Sequence, residues 1–269
     1  MAIPEHARVV VTGGGSGLGR AFCTVLAKRG ARLLVSDLSV EDAKATAALC
    51  APAEAHAVAC DVAVLDDVER LAAEADRVLG GADVIINNAG VAAAGIVGEA
   101  KIDDWRWVMS INLFGVIHGC HVFAPRLKAQ GSGHVINIAS AAGLLTPPGL
   151  GPYNVAKAGV IALSETLFGE FAGTGVGVTV ACPTFFQTNL MTGSRGPADT
   201  SKMAARLMAA GKLSAEDVAV AILDGAAHGD LHVVPQADGR WMWRFKRASP
   251  QRFHELSPKV IKAIMKRRK

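Results

Sequence analysis

Short apolar runs alternate with longer amphipathic segments along most of this chain. Seven short runs, rich in Val, Ile and Ala and followed by turn-forming residues, have the character of buried strands. The segments between them carry apolar residues at helical spacing, and several begin at a serine or end at a glycine, as helices do. The predicted strands are 8–14, 32–37, 54–62, 82–90, 134–140, 177–183 and 231–235, and the predicted helices are 20–31, 39–50, 65–81, 103–127, 153–172 and 214–227.

This alternation predicts the fold class. Strands separated by helices of this length form right-handed βαβ units, which place the strands in a parallel sheet covered by helices on both faces. We therefore expect an α/β doubly wound parallel sheet of Rossmann type, in one dinucleotide-binding and catalytic domain over residues 1–240. Residues 184–213 are less regular, and residues 241–269 form a basic, amphipathic C-terminal extension.

Composition predicts a cytoplasmic globular protein. The 269 residues are 51% hydrophobic, enough for the core of one large α/β domain. Five cysteines are scattered without a CxxC pair, as expected of reduced thiols. The N-terminal residues lack a signal-peptide pattern, and no run approaches the roughly 18 consecutive apolar residues of a spanning helix. We expect a soluble protein, at most peripheral to a membrane.

A glycine-rich loop, TGGGSGLG at residues 12–19, lies between the first predicted strand and the first helix. Glycines allow a tight turn there and let the backbone approach a pyrophosphate at the helix N-terminus. Such a loop alone is weak evidence, because a merely structural turn is about as common. The candidate cofactor-binding residues of the loop are Gly13, Ser16, Gly17, Leu18 and Gly19.

Asp37, at the end of the second predicted strand, makes the interpretation of the loop as a dinucleotide-binding site more specific. An aspartate about 20 residues after such a loop accepts hydrogen bonds from the adenosine ribose hydroxyls and repels a 2′-phosphate. No Arg or Lys lies between Thr12 and Gly19, and Leu38 follows Asp37, so no cation compensates a phosphate. The sequence therefore predicts NAD rather than NADP. The structural alternative for Asp37 is a solvated turn acid.

The stretch YNVAK, residues 153–157, contains the only tyrosine of the chain. On a helix, Tyr153 and Lys157 lie on one face, a turn apart. An ammonium beside a phenol favours the phenolate and lowers the pKa of the tyrosine, which suits a general acid or base near neutral pH. The spacing alone does not distinguish this pair from a chance one.

Taken together, six motifs resemble, in order and spacing, those of the short-chain dehydrogenases/reductases. The resemblance extends from about residue 6 to 235 and includes the glycine-rich loop and YNVAK. The other motifs are CDV at 60–62, NNAG at 87–90, Asn112 within SINLFG and Ser140 within INIAS. The resemblance implies an enzyme that transfers a hydride between a nicotinamide cofactor and an alcohol or carbonyl substrate.

The resemblance also implies roles for single residues. Tyr153 would be the acid/base, with its pKa lowered by Lys157 and by the nicotinamide ring. Ser140 would bind the substrate oxygen, and Asn112 would hold a water that links Lys157 to solvent. The cofactor contacts that the resemblance adds to the loop and Asp37 are Asp61, Val62, Asn88, Gly90 and Thr188, together with Tyr153 and Lys157.

Structural alternatives and one departure accompany these roles. Ser140 is also a plausible helix cap, Asn112 a buried amide bonded to backbone, and NNAG a tie between central strands. After the sixth strand the family usually has Pro-Gly, whereas Thr184 follows Pro183 here. Threonine disfavours positive φ, so the backbone at Thr184 need not follow that of the family.

Apolar residues dominate the segments from which substrate selectivity is expected. These are residues 184–212, which resemble a lid, and the loops after Gly90 and Ser140. No arginine is obviously poised for a carboxylate, so a hydrophobic secondary alcohol or ketone is the expected substrate. The histidines show no metal-ligand spacing, and no metal is expected. The pocket candidates are Phe185, Phe186, Leu190, Met191, Ala141, Ala142, Leu144, Leu145 and Val91 to Gly95.

The C-terminal extension concentrates the basic charge. Residues 244–269 contain ten Lys or Arg and one acid, a charge of +9, so within a total of +4 the preceding residues carry −5. A basic amphipathic helix from Ser257-Pro258 onward, near Trp241 and Trp243, is typical of an interfacial membrane anchor. Packing on a neighbouring subunit is an equal alternative. Nucleic-acid binding is weaker, and no nucleic-acid partner is expected, because no binding motif accompanies the charge.

The combined prediction is an NAD-dependent oxidoreductase that interconverts a hydrophobic secondary alcohol and its ketone, or an alcohol and an aldehyde, with oxidation favoured. One alternative is an NADPH-dependent reductase of acyl-thioester ketones; another is a non-catalytic NAD-sensing module. Because family members are commonly dimers or tetramers, a homodimer or homotetramer is expected. We expect it in the cytoplasm, with peripheral contact at the inner membrane surface as an open alternative.

Overall fold

The computed structural model describes residues 6–188, 193–197, 206 and 208–257. Within these residues, the strands are β1 (Arg8–Thr12), β2 (Arg32–Asp37), β3 (Ala55–Ala59), β4 (Val84–Asn87), β5 (Gly133–Ile138), β6 (Val176–Ala181) and β7 (His232–Val233). The helices are α1 (Gly17–Lys28), α2 (Val40–Leu49), α3 (Leu65–Leu79), α4 (Ile102–Met109), α5 (Gly115–Gln130), α6 (Ala141–Leu145), α7 (Gly151–Glu170), α8 (Ala215–His228) and α9 (Ala237–Ala248). A π-helical segment, Ser110–Phe114, joins α4 to α5.

All seven strands pair in parallel, in the order β3-β2-β1-β4-β5-β6-β7. The chain builds outward from β1 in one direction and then returns to the other side of β1 with β4. In such sheets, ligands bind outside the carboxyl ends of the strands where the order reverses. The predicted doubly wound parallel sheet is confirmed, and the crevice between β1 and β4 is the place to look for a cofactor.

Apolar cores lie on both faces of the sheet. Val9 and Val11 belong to the core that α1, α2 and α8 cover, whereas Val10 belongs to the core under α3, α5 and α7. All three side chains are fully buried. Successive side chains of a strand point to opposite faces, so a strand covered on both sides reads as a continuous apolar run. This is why β1 was recognisable from the sequence.

Helix ends follow the expected local chemistry. The Ser39 side chain accepts a hydrogen bond from the backbone N–H of Asp42 and so caps α2, and Ser214 forms a reciprocal capping box with Asp217 at the start of α8. Gly80 ends α3 in the left-handed conformation that glycine tolerates. These caps explain why the predicted helix boundaries agree with the observed ones to within a few residues.

Within the described residues, α6, α9 and a helical segment over residues 250–257 were not predicted, and one predicted helix is interrupted. Helix α6 follows β5, and α9 runs across the boundary placed at residue 240. The segment predicted as one helix over 103–127 contains the π-helical turn. By length and composition, the run Ile102–Gln130 alone among the described helices passes as a membrane span. Its residues Val116 and Phe123 belong to the core of the fold, so it is weak evidence for a membrane. The amphipathic helix predicted from Ser257-Pro258 onward lies outside the described residues apart from Ser257.

Candidate active site

The glycine-rich loop lies at the carboxyl end of β1, directly against α1. Gly13 and Gly17 have φ of +62° and +50°, which glycine adopts without strain. A Cβ on Gly13 would lie 2.7 Å from Cα of Ala89, and one on Gly19 would overlap the carbonyl oxygen of Gly13. The loop is therefore held close to both β4 and the first turn of α1. A diphosphate fits this cradle, since backbone N–H groups at a helix start favour anions.

Ser16 and Leu18 take different positions around this cradle. Ser16 is the N-cap residue of α1 with extended backbone angles, yet its hydroxyl makes no capping hydrogen bond. That hydroxyl is exposed beside the loop, where it can bond a phosphate oxygen. The Leu18 side chain is buried in the core under α1, so only its backbone can contribute to the cradle.

Asp37 lies next to the loop, as predicted. Its Oδ2 accepts a hydrogen bond of 2.9 Å from the Gly15 N–H, and its Oδ1 accepts one of 3.2 Å from the Ser39 N–H. Arg20, a cation that the sequence analysis passed over, donates to the carbonyl oxygen of Gly15 and to Thr46 Oγ1. The Arg20 guanidinium is thus bonded to the loop backbone and to α2, and the carboxylate of Asp37 lies beside Gly15 of the loop.

Asp61 and Val62, two of the predicted cofactor contacts, follow β3. Asp61 Oδ1 accepts a 2.9 Å hydrogen bond from the Ala63 N–H, which orders the turn. The carbonyl oxygen of Val62 accepts one of the same length from His118 Nδ1 on α5. A Cβ on Gly115 would lie 2.7 Å from Val62 Cγ2. The wall that would contact an adenine is therefore packed against α5.

Asn88 and Gly90 occupy the end of β4. Asn88 Nδ2 donates to the carbonyl oxygens of Thr12 and Gly13, at 2.9 and 3.0 Å. The side chain thus ties β4 to β1, which is the structural alternative considered for NNAG. A Cβ on Gly90 would lie 3.1 Å from Asn112 Oδ1 and 3.6 Å from Lys157 Nζ. Gly90 therefore borders the predicted catalytic residues directly.

Asn112 is fully buried within the π-helical turn. Its Oδ1 accepts from the Val91 N–H and its Nδ2 donates to the Val91 carbonyl oxygen, both at 2.8 Å. The side chain is therefore a buried amide bonded to backbone, as the structural alternative proposed. Single π-helical turns are frequent at functional sites. The water that Asn112 is expected to hold stays a prediction.

Ser140 has the capping role considered for it, and its binding of a substrate oxygen stays a prediction. It is the N-cap residue of α6, where its Oγ accepts a 3.1 Å hydrogen bond from the Ala142 N–H. Its hydroxyl also interacts with Tyr153 and acts to lower the pKa of that phenol. The Ser140 hydroxyl thus lies between the first turn of α6 and the tyrosine.

Lys157 and Tyr153 lie on one face of α7, with Nζ 5.9 Å from the centroid of the tyrosine ring. Lys157 is only 4% exposed, and Nζ donates to the carbonyl oxygen of Ile138 at 2.8 Å. Burial lowers the pKa of Lys157 to about 8. Burial likewise raises the pKa of Tyr153 to about 12, against the opposing hydrogen bond from Ser140. In the protein without bound cofactor, desolvation of the phenol is therefore the dominant influence on the tyrosine pKa. The lowering of that pKa by Lys157 and the nicotinamide ring together stays a prediction.

The segment after β6 shows the backbone conformation at Thr184, where the family usually has a glycine. Among the described residues other than glycine, only His6 and Thr146 have positive φ, so Thr184 carries no left-handed strain. Its N–H donates to Gln236 Oε1 at 2.9 Å. Thr188 Oγ1 lies 2.9 Å from the place that a Cβ on Gly17 would take. Thr188 therefore faces the glycine-rich loop, and its contact with a cofactor stays a prediction.

The pocket candidates divide between core and surface. Phe186 and Leu144 are buried in the two large cores, whereas Phe185 is 42% exposed. Small side chains line the loop after Gly90, and Ala93 in that loop pairs with residue 195. Leu190 and Met191 lie outside the described residues. Phe186 and Leu144 thus serve packing rather than substrate contact.

Arg195 is a residue that the sequence analysis missed. Its guanidinium lies 4.1 Å over the ring of Trp107 and 3.7 Å from Asp104 Oδ1. Its backbone accepts from the Ala94 N–H and donates to the Ala92 carbonyl oxygen. These contacts hold the segment around Arg195 against the loop after Gly90. No sequence signal links two segments that lie about a hundred residues apart in the chain.

Comparison with known proteins identifies the same family as the motifs. A profile of the family described as short chain dehydrogenase matches residues 7–198. The probable oxidoreductase EphD of Mycobacterium tuberculosis is 34% identical over 194 residues, which cover 70% of this chain and 33% of that protein. This chain therefore spans about a third of that relative. The 2-(R)-hydroxypropyl-CoM dehydrogenase of Xanthobacter autotrophicus is 34% identical over 185 residues, which cover 66% of this chain and 74% of the relative.

Solved structures agree with this grouping. The crystal structure of a short chain dehydrogenase/reductase from Burkholderia phymatum in complex with NAD superposes with a TM-score of 0.87. Its sequence is 32% identical, and the superposition covers 93% of this chain and 96% of that one. The family profile, the relatives and the shared fold show that this chain is a member of the short-chain dehydrogenase/reductase family of oxidoreductases.

Proposed function

We propose that this protein is an NAD-dependent dehydrogenase that interconverts a hydrophobic secondary alcohol and its ketone. The observation that carries the proposal is the convergence of Ser140, Tyr153 and Lys157 beside Gly90, at the carboxyl ends of the central strands. A glycine-rich cradle and Asp37 border the same crevice. A binding module that only senses NAD has no need of a hydroxyl, a phenol and an ammonium gathered in one cluster, so this arrangement favours turnover.

Each polar side chain has a separate task in this proposal. When bound, the nicotinamide takes up or returns the hydride. Ser140 binds the substrate oxygen, and Tyr153 takes the hydroxyl proton during oxidation and returns it during reduction. A phenol with a pKa raised to about 12 by burial needs positive charge nearby to act at neutral pH. Lys157, protonated below its pKa of about 8, supplies part of that charge.

The carboxylate of Asp37 supports NAD as the cofactor. It accepts the Gly15 N–H and so lies at the edge of the cradle, where a 2′-phosphate would meet a negative charge. Arg20, the cation beside the loop, donates to Gly15 and Thr46. The Burkholderia relative was solved in complex with NAD, which agrees with this proposal.

The loop residues and one relative support a small, mainly apolar secondary alcohol. Ala93 and Ala94 are buried small residues after Gly90, and Ala141 follows Ser140. The name of the Xanthobacter relative describes a 2-hydroxypropyl group, which is a secondary alcohol. A secondary alcohol with apolar substituents therefore fits this site better than a sugar.

The test is a spectrophotometric assay of purified protein with NAD or NADP and a panel of secondary alcohols of increasing length. The proposal predicts NADH formation with several members of the panel and little NADPH formation. Preference for NADP would instead support a reductase of acyl-thioester ketones. Tight NAD binding without turnover of any alcohol or ketone would support the sensing module and contradict the proposal.

We also propose that the enzyme is a cytoplasmic homodimer or homotetramer. Members of this family are typically oligomeric, and helices α4, α5 and α7 are the expected contacts. On α4, on α7 and on the π-helical segment between α4 and α5, four apolar side chains are about half exposed. They are Ile102, Phe114, Val155 and Phe168. Burying them against a second copy would remove them from water. Light scattering of the purified chain distinguishes a monomer, which would contradict this proposal, from either oligomer.

Peripheral membrane contact is supported by the outer side of α9. Trp241 is 67% exposed, and Arg240, Arg244 and Arg247 are exposed beside it. Tryptophan near arginine suits the interface of an anionic membrane. The chain should sediment with phosphatidylglycerol vesicles but not with phosphatidylcholine vesicles, and Trp241→Ala should weaken sedimentation. Equal sedimentation of wild type and variant would contradict the contact, as would none with either vesicle.

A further inference from the structure

Helix α6 is short, and the residue that caps its N-terminus is the predicted substrate-binding serine. It contains five residues, Ala141–Leu145, and its N-cap residue is Ser140. A helix of this length is about 7.5 Å long and is not stable by itself. Its position, and with it the direction of the Ser140 hydroxyl, must therefore be fixed by contacts with other elements.

One such contact is with α7, the helix that carries Tyr153 and Lys157. A Cβ on Gly143 would lie 2.6 Å from the carbonyl carbon of Lys157 and 2.8 Å from the backbone nitrogen of Ala158. The backbones of α6 and α7 thus touch at Gly143. This contact fixes the distance between the two helices at the middle of α6, whereas the carbonyl groups at the C-terminal end of α6 need other polar partners.

A lysine from the C-terminal part of the chain supports that end. Lys246 Nζ, on α9, donates to the carbonyl oxygen of Leu144 at 2.7 Å and to Thr146 Oγ1 at 3.2 Å. Thr146 follows α6 with φ of +47°, so the helix ends abruptly there. A cation at a helix C-terminus stabilises the last carbonyl groups and the helix dipole. Within the described part of the chain, no carboxylate forms an ion pair with Lys246.

Helix α9, which carries this lysine, is held in place by contacts with other elements. The Trp243 ring lies 5.1 Å from that of His232, and His232 Nε2 hydrogen-bonds with Glu165 Oε1 on α7 at 2.8 Å. A Cβ on Gly239 would lie 2.6 Å from Thr184 Cγ2. The helix therefore contacts the segment after β6 and also β7, which is itself bonded to α7 through His232, while Lys246 reaches α6.

We propose that Lys246 is a positioning residue that holds α6 so that Ser140 faces Tyr153 and the substrate oxygen. This inference rests on the proposed dehydrogenase function. Without the ammonium, the Leu144 carbonyl oxygen and the Thr146 hydroxyl lose their shared partner, and α6 can shift or fray. The glycine-rich loop and Asp37 belong to other elements, so cofactor binding does not depend on Lys246.

The test compares Lys246→Met and Lys246→Arg with a matched control, Arg247→Met. Arg247 is the next residue of α9, and its guanidinium lies over Trp243 rather than on α6. Backbone amide exchange over residues 141–146 should accelerate about tenfold in Lys246→Met, as expected for loss of a hydrogen bond to a charged group. In Arg247→Met it should stay at the wild-type rate, and Lys246→Arg should restore most of the protection.

Kinetic measurements provide a second test. A general structural role of Lys246 would change the kinetic constants for the alcohol and the affinity for NAD together, whereas a positioning role changes only the former. Lys246→Met should lower kcat and raise KM for the alcohol, reducing kcat/KM by roughly 10- to 100-fold, because the oxygen-binding hydroxyl is misplaced. The Kd for NAD should remain within about twofold of wild type, since the cradle is intact. An equal loss of NAD affinity, or accelerated exchange throughout the protein, would show a global effect and overturn the proposal.

The two proposals fail in different ways. If wild-type protein turns over no alcohol, the dehydrogenase function fails, whereas the exchange experiment still measures what Lys246 does to α6. Wild-type exchange of residues 141–146 in Lys246→Met would overturn the positioning role even in an active enzyme.

Discussion

Replacing Lys157 by methionine is expected to abolish turnover and, at neutral pH, to stabilise the fold. Lys157 is almost completely buried, with one described hydrogen bond, to the carbonyl oxygen of Ile138. Burial lowers the pKa of Lys157 from 10.5 to about 8. At about 1.4 kcal/mol for each pKa unit, holding the ammonium in the fold costs on the order of 3 kcal/mol at pH 7.

Methionine removes this cost but also removes a hydrogen bond. It has a length similar to lysine and carries no charge, so it fits the same space. The carbonyl oxygen of Ile138 then lacks a partner, which costs about 1–2 kcal/mol. The net expectation at pH 7 is that Lys157→Met raises the free energy of unfolding by about 1–2 kcal/mol, and Tm by roughly 3–6 °C.

The stability difference between wild type and Lys157→Met should change with pH in a direction that can be checked. Because the folded pKa of Lys157, about 8, lies below the unfolded value of 10.5, the unfolded chain binds more protons between these pH values. The stability that Lys157 contributes therefore rises with pH across this interval. Above it, the cost of the buried charge is gone, and the wild type should be the more stable protein. Tyr153, whose raised pKa makes stability fall above pH 10, is present in both proteins.

Urea denaturation at pH 7 and pH 10 measures the difference directly. Lys28→Met serves as the matched control, because Lys28 is an exposed lysine on α1. It should show little difference from wild type at either pH. A Lys157→Met protein that is less stable than wild type at pH 7, or a stability difference that is the same at both pH values, would refute the reasoning.

Three further predictions concern the cofactor, the core and acid stability. Asp37→Ser should reduce the ratio of kcat/KM for NAD to that for NADP by about tenfold or more, because the repelling carboxylate is removed; an unchanged ratio would contradict the role of Asp37. Gly119→Ala should destabilise the fold by about 1–3 kcal/mol in urea denaturation, since the new methyl group would overlap Asn87 Oδ1; wild-type stability would show that α5 can move. Burial lowers the pKa of His134 to about 4, so its protonation should cost up to about 3 kcal/mol as pH falls from 6.5 through 4. His134→Gln should show a shallower loss of stability over that range, and parallel curves would contradict it.

Much of the fold followed from the sequence because its signals are local. Buried parallel strands such as β1 are continuous apolar runs, and helices such as α2 begin at side chains that cap them. Position along the chain also predicts placement at one sheet edge, since the carboxyl ends of parallel strands meet there. For this reason Asp37 was expected beside the glycine-rich loop, where the structure has it. The place of Gly90 was implied by the family resemblance, and Gly90 lies next to Asn112 and Lys157.

The remaining features depend on contacts between distant parts of the chain. The raised pKa of Tyr153 reflects how much of the phenol is desolvated, and burial is set by the complete packing around α7. The contacts of Arg195 with Trp107, and of Lys246 with the end of α6, join segments about a hundred residues apart. Helix α6 itself is too short for a periodic signal, so neither it nor the support from α9 was predicted.

The most direct test of the central claim compares wild type with Tyr153→Phe in NADH formation from a hydrophobic secondary alcohol. Phenylalanine keeps the ring and its packing but cannot transfer the proton. We predict that kcat falls by roughly 10²–10⁴-fold, while the Kd for NAD stays within about twofold of wild type. Turnover by Tyr153→Phe at the wild-type rate would contradict the assignment of Tyr153 as the acid/base, and with it the proposed mechanism.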